Sequence, residues 1–195
     1  AEGRSARGGM SWQPRQEIEL VAGTPAGGGQ DRPARALLQV LAAEGLVTMK
    51  VRRGAYVTEV SEKDLRDVYH LLSLLESDAG GEVAAHGSDA AIAELAALHD
   101  ELEAAHHERD RFFAVNERFH LRLLELADNR WRLQMVSDLR KVMKLNRHHS
   151  LFKAGRIEES LAEHRAILAA LRARDPALTV QRMKEHFASG LEAAT

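Results

Sequence analysis

Asn116 and His120 stand four positions apart in a stretch whose apolar residues recur at helical spacing, so both side chains project from one helix face, one turn apart. His164 lies within Ala162-Glu163-His164-Arg165-Ala166-Ile167-Leu168, and His186 within Met183-Lys184-Glu185-His186-Phe187. Each neighbours apolar positions, as a side chain facing a bundle interior must. Three imidazoles and one amide oxygen suit a borderline divalent ion, zinc first and then nickel, cobalt or manganese, with coordination positions left for water or a ligand. Taken one at a time, each histidine has a second reading, a hydrogen-bonded core residue. The chain has no cysteine, which removes thiolate metal sites, iron-sulfur clusters, disulfides and a cysteine nucleophile together.

The other candidates read more plainly. All ten histidines lie between His70 and His186. His106, His107, His148 and His149 end charged helices, where imidazolium meets the negative end of the helix dipole, and His70, His86 and His99 lack a partner at ligand spacing and read as surface or boundary groups. Arg140, Lys141, Lys144 and Arg147 recur along one helix; Arg140 and Arg147 are the candidates to hold a carboxylate beside a metal, and the two lysines form a solvent face. The acidic Glu101, Glu103, Glu108 and Asp110 read as a solvated face. Lys50-Val51-Arg52-Arg53-Gly54-Ala55-Tyr56 reads either as a wing whose cations meet phosphates or as an exposed hairpin tip. No Gly-rich phosphate loop follows a strand and no serine-centred elbow occurs.

These groups need a scaffold, and composition bounds it. With 195 residues, 45% hydrophobic, 29% charged and 5% aromatic, the chain can bury a real core, and long disorder, fibrous repeats and an aromatic-rich β-sandwich are disfavoured. No apolar run approaches the roughly 20 residues of a membrane span and no signal-peptide core opens the chain, so a soluble, cytoplasmic protein is expected. Residues 1–33 hold seven of the fourteen Gly and three of the four Pro, and are expected to be mostly loop or disorder, with Gln16–Ala22 the one short element. A helix is expected over Pro33–Glu44, stopped by Gly45, then a hairpin of Leu46–Val51 and Ala55–Val60. From Ser61 onward six helices follow, to about His86, from Ser88 to about His107, over Asp110–Ala127 with Asn129 as left-handed cap, Trp131 to about His149, Ile157 to about Ala173, and from Asp175-Pro176 to near Gly190. The expected fold is therefore mostly α, a partial or degenerate winged helix-turn-helix followed by an antiparallel six-helix bundle. Net charge is -2, split as +2 over residues 1–59 (eight basic, six acidic) and -4 over the rest (nineteen basic, twenty-three acidic), so any basic patch is N-terminal.

Taken in order, these residues resemble the GntR-type transcription regulators of the FadR subfamily, which join a winged helix-turn-helix to an all-helical FCD sensor domain. Leu38-Gln39-Val40-Leu41-Ala42-Ala43-Glu44-Gly45-Leu46-Val47 and Arg53-Gly54-Ala55-Tyr56-Val57 look like the end of the recognition helix and its wing. Leu65-Arg66-Asp67-Val68-Tyr69, Phe119-His120, Leu126-Ala127-Asp128-Asn129, Glu163-His164-Arg165-Ala166-Ile167 and Met183-Lys184-Glu185-His186 are similar to the sensor's helices. The resemblance implies a DNA-binding region over 1–60 and an effector-binding domain over 61–195. It also implies a divalent metal on Asn116, His120, His164 and His186, a small organic acid on the metal's open positions, and a homodimer on a palindromic operator, with no membrane partner. DNA contacts would fall to Arg32, Arg35, Lys50, Arg52 and Arg53. Asn116 stands where many members carry Asp, and Leu72 where many carry an effector-binding Arg, which leaves Arg140 or Arg147 as substitutes. Residues 1–36 depart furthest, as a degenerate reader or a frame error upstream of Leu37 would.

The resulting expectation is a metabolite-responsive regulator, acting as a repressor and not as an enzyme. Its rivals are a metal-dependent binding module that has lost DNA binding and a metal-dependent hydrolase. Against the hydrolase, Glu163 and Glu185 each directly precede a ligand and so point about 100° away around the helix.

Overall fold

The computed structural model describes residues 31–50, 54–58, 60–145 and 155–195. The chain divides into two compact units, Ala1–Thr58 and Glu59–Thr195. In the first, helix α1 spans Asp31–Ala43 and starts two residues before the expected Pro33, whose missing N-H costs nothing in a first turn. It ends in a Schellman motif: Gly45, at φ 73, donates to Ala42 O, and Leu46 donates to Leu41 O. Strands β1 (Val47–Lys50) and β2 (Gly54–Val57) then pair antiparallel, in register from Val47 opposite Val57 to Lys50 opposite Gly54. Strand β1 starts one residue later than expected, and β2 ends at Val57, short of the expected Val60. The readings on residues 1–30 and on Arg52 and Arg53 lie outside the described residues.

The second unit is helical. Helix α2 (Glu62–His86) begins with a capping box in which the Ser61 hydroxyl accepts from Asp64 N-H while the Asp64 carboxylate accepts from Ser61 N-H. Helix α3 (Asp89–Ala104) is capped by Ser88 and stops before His106, whose Nδ1 instead bonds Glu103 O. Helix α4 (Arg109–Leu126) is followed by a left-handed residue, but that residue is Asp128 (φ 50) and not the expected Asn129. Asn129 turns its amide oxygen to Arg132 N-H and caps helix α5 (Arg130–Leu145). Helix α6 (Arg156–Arg172) starts after Gly155, and helix α7 (Pro176–Ala194) is capped by Asp175 with Pro176 in its first turn. Gly190, expected to end α7, lies inside it; a Cβ there would stand 3.1 Å from the Tyr69 ring, so the glycine serves packing.

The main core gathers Val68, Leu72, Leu95, Phe119, Leu123, Ile167, Leu171, Met183 and Phe187, and a second cluster of Leu102, Phe112, Val115 and Leu161 fills the other end. Each such side chain stabilises the fold by roughly 1.5–3 kcal/mol when fully buried. Helix α2 lies chiefly on α7, with α4, α5 and α6 beside it, and α3 packs on α4 and α6. Gly80 and Gly81 allow that approach: a Cβ on Gly81 would sit 2.9 Å from Val180 Cγ2, and one on Gly80 3.2 Å from Thr179 Cγ2. Among the described residues no helix is long and apolar enough to cross a membrane.

Candidate metal centre

Helices α4, α6 and α7 bring His120, His164 and His186 together inside the bundle. One nitrogen of each lies within 4.8 Å of the others, and all three rings are buried. The ring centroids are 4.7 Å (His164 to His186), 5.2 Å (His120 to His186) and 5.3 Å (His120 to His164) apart. Phe119 meets His164 edge-on and Phe187 flanks His120, so two walls of the site are aromatic.

Two of the rings are oriented by carboxylates. His120 Nδ1 lies 2.7 Å from Glu76 Oε2, and His186 Nδ1 lies 2.7 Å from Glu163 Oε2. A carboxylate only accepts, so each Nδ1 carries a proton, and Nε2 is the nitrogen each ring has left to offer a metal. Glu76 is fully buried and takes three bonds of 2.6–3.0 Å from Arg140. Glu163 takes two, of 2.8 and 2.9 Å, from the buried Arg156. Burial works to raise both carboxyls, yet the facing cations and imidazoles outweigh it: Glu76 titrates below the usual carboxylate range, and Glu163 at about 2. Burial pushes the His120 imidazole down to about 4 and His164 well below its ordinary value.

The centre thus presents imidazole nitrogens converging on one point, one from each of the three rings. Both nitrogens of His164 and the Oδ1 of Asn116, one turn before His120 on α4, are buried without a partner. Imidazole nitrogens crowded in this way, two of them on one ring without a partner, repel one another unless a cation draws them together, so the three-histidine donor set fits a divalent metal.

Sequence reasoning found the histidines and missed what holds them. Glu76 carried no signal, because its partners are 44 and 64 positions away. Glu163 does point away from its neighbour His164, but onto His186 of the next helix. Its two oxygens are taken up by the Arg156 guanidinium and the His186 ring, which makes it a support for that ring. His99, read as a surface or boundary group, is buried beside His164, and Glu103, read as part of a solvated face, is half-buried against Arg165. Arg140, read as holding an effector carboxylate, is bound to the chain's own Glu76, and Arg147 lies outside the described residues. Leu72 is fully buried in the core. In the first unit Arg32 and Arg35 are exposed on α1, and Lys50 Nζ stands 4.4 Å over the Tyr56 ring.

Residues 67–189 match the model of the FCD domain, and the chain belongs to that family. Its relatives are GntR-type regulators of transcription and not enzymes. It is 25% identical over 158 residues to the HTH-type transcriptional repressor RspR of Escherichia coli (strain K12), covering 80% of this chain and 69% of the repressor. It is 29% identical over 183 residues to a probable D-xylose utilization operon transcriptional repressor of Paenarthrobacter nicotinovorans, covering 92% and 78%. Among solved structures, E. coli McbR/YncC shares the fold with a TM-score of 0.77 at 19% identity over 91% of this chain and 87% of that one. Streptococcus agalactiae GntR does so with a TM-score of 0.58 at 21% identity, covering 83% and 81%.

Proposed function

We propose that this chain is a metabolite-responsive, DNA-binding repressor of the FadR subfamily, acting as a homodimer, with a divalent metal, zinc first, held by Asn116, His120, His164 and His186. The observation that carries this reading is the convergence of three buried imidazoles within 4.8 Å, two of them already fixed in the tautomer that frees Nε2. The metal would supply open positions for the carboxylate of a small organic acid. The protein's own part is to hold the rings, through Glu76 with Arg140 and Glu163 with Arg156, and to exclude water with Phe119 and Phe187. Arg140, and Arg147 further along the chain, would help to hold the acid. Regulation requires that the acid bind one arrangement of the dimer more tightly than another. Arg32, Arg35, Lys50, Arg52 and Arg53 would meet DNA, the wing cations on phosphates.

The test is a titration of the purified protein onto DNA flanking its own gene, at low and moderate salt, with and without a chelator. Binding that exceeds binding to random DNA, weakens with salt and responds to metal removal supports the regulator. Equal binding to both DNAs, or none, would leave a metal-dependent module without a reader.

A further inference from the structure

His120 and His186 each end a row that runs inward from an arginine through a carboxylate to the imidazole, Arg140–Glu76–His120 and Arg156–Glu163–His186. His164 has no such row: neither of its nitrogens has a partner. A third arginine and glutamate do stand behind it, one imidazole further out. Arg165 donates to both oxygens of Glu103 at 2.6 Å, and Glu103 Oε1 lies 3.7 Å from Nε2 of His99 on α3. The His99 ring is buried, its centroid 6.5 Å from that of His164, and its Nε2 is a third buried nitrogen without a hydrogen-bond partner. Burial lowers the His99 imidazole and a hydrogen bond to the Leu161 backbone works to raise it; since Nε2 has no hydrogen-bond partner, that bond falls to the other nitrogen, which leaves Nε2 as an acceptor.

A centroid separation of 6.5 Å keeps the nitrogens of the two rings at least about 4 Å apart, beyond the roughly 2.7–3.2 Å of a direct hydrogen bond and within the span of one bridging water. Such a water donates to His99 Nε2 and to Glu103 and accepts the N-H of His164. It makes about three bonds, the usual number for a buried water, and satisfies all the stranded atoms on that side. We propose that His99 is a positioning residue of the metal centre, fixing the orientation and tautomer of His164 through one water with Glu103 and Arg165 behind it. The proposal rests on the metal reading of the triad, and adds a residue outside the ligand set.

The experiment uses the full chain and two readouts. In chelator-treated protein, long-range proton-nitrogen NMR reports the His164 tautomer; a chromophoric chelator competing for zinc reports affinity. The wild type is expected to show one His164 tautomer. His99→Phe is expected to show a mixture and to bind zinc about 10- to 100-fold more weakly, as loss of an outer partner does elsewhere. His99→Gln, which keeps a hydrogen-bonding group, is expected to restore most of both. An unchanged His164 spectrum and unchanged zinc affinity in folded His99→Phe would overturn the proposal. If that variant does not fold, Glu103→Gln at the rim replaces it and must shift the same resonance. A wild type that takes up no zinc sinks the metal reading instead, and the tautomer then decides the His99 link alone.

Discussion

Glu76 and His120 are 44 positions apart in the chain and 2.7 Å apart in the bundle, with neither side chain reached by solvent. The contact ties α2 to α4, and Arg140 extends it to α5. One carboxylate therefore orients an imidazole and neutralises an arginine that is itself only slightly exposed.

Removing that carboxylate strands a buried cation. Glu76→Ala is expected to destabilise the protein by about 3–5 kcal/mol, the scale for breaking one side of a buried pair. Glu76→Leu with Arg140→Met, which removes both charges, is expected to recover much of the loss. Urea unfolding of the three proteins checks this, and a double variant as unstable as the single one would contradict it.

Acid should destabilise the metal-free protein in two stages. Unfolded histidine titrates near 6.5, His120 in the fold at about 4 and His164 well below 6.5, so the unfolded chain binds protons that the folded chain refuses. Stability is then full above pH 6.5 and falls as pH drops toward 4, by on the order of 3 kcal/mol for His120 alone. Glu163 works in a lower window: its stabilisation is full above 4.5 and is lost as pH falls toward 2. Denaturation midpoints in chelator from pH 7.5 to 3 would show this, and a flat profile down to pH 4.5 would exclude it. His120→Gln should lose its share of the first stage.

At the proposed site Asn116 would offer a neutral oxygen where a carboxylate would add a negative charge beside the three imidazoles. Asn116→Asp is expected to tighten zinc by about tenfold, or roughly 1.4 kcal/mol. The same variant buries an extra charge when the metal is removed, so its chelator-treated form should melt below the wild type. A competition titration and paired melting curves test both signs.

Helices α2 and α7 meet with Gly81 of α2 against the Val180 side chain of α7. A Cβ at Gly81 would fall 2.9 Å from Val180 Cγ2, so Gly81→Ala is expected to cost about 1–3 kcal/mol despite the better helix propensity of alanine. Gly81→Ala with Val180→Ala should regain part of it, read as a rise in melting temperature over the single variant.

In the N-terminal unit, Lys50→Ala is expected to weaken binding to specific and random DNA alike and to lower the salt slope by about one, as loss of a single phosphate contact does. Arg32→Ala and Arg35→Ala should instead alter preference between sequences if α1 reads bases. Fluorescence titrations over a salt series separate the two patterns.

The helices were legible because their signals are local. Ser61 with Asp64, Ser88, and Asp175 with Pro176 announce three starts within a few residues, and apolar spacing fills in the bodies. The triad was legible because each histidine interrupts an apolar face. What escaped were groups whose burial depends on distant partners. Glu76 looks like any glutamate until Arg140 and His120 arrive from other helices, and His99 looks like a boundary residue until α6 covers it. Gly190 was misread for the opposite reason: a local stop signal was overridden by the Tyr69 ring packed against it.

The glycine seam between α2 and α7 joins the first helix of this domain to its last. During synthesis α2 leaves the ribosome long before α7 exists, so its inner face waits for a partner until the domain is nearly complete. Folding should therefore come late and all at once. Nascent chains arrested before Pro176 would stay open to protease and to chaperones, and a release of even a few residues of α7 too few would leave the whole bundle, its imidazoles included, unassembled.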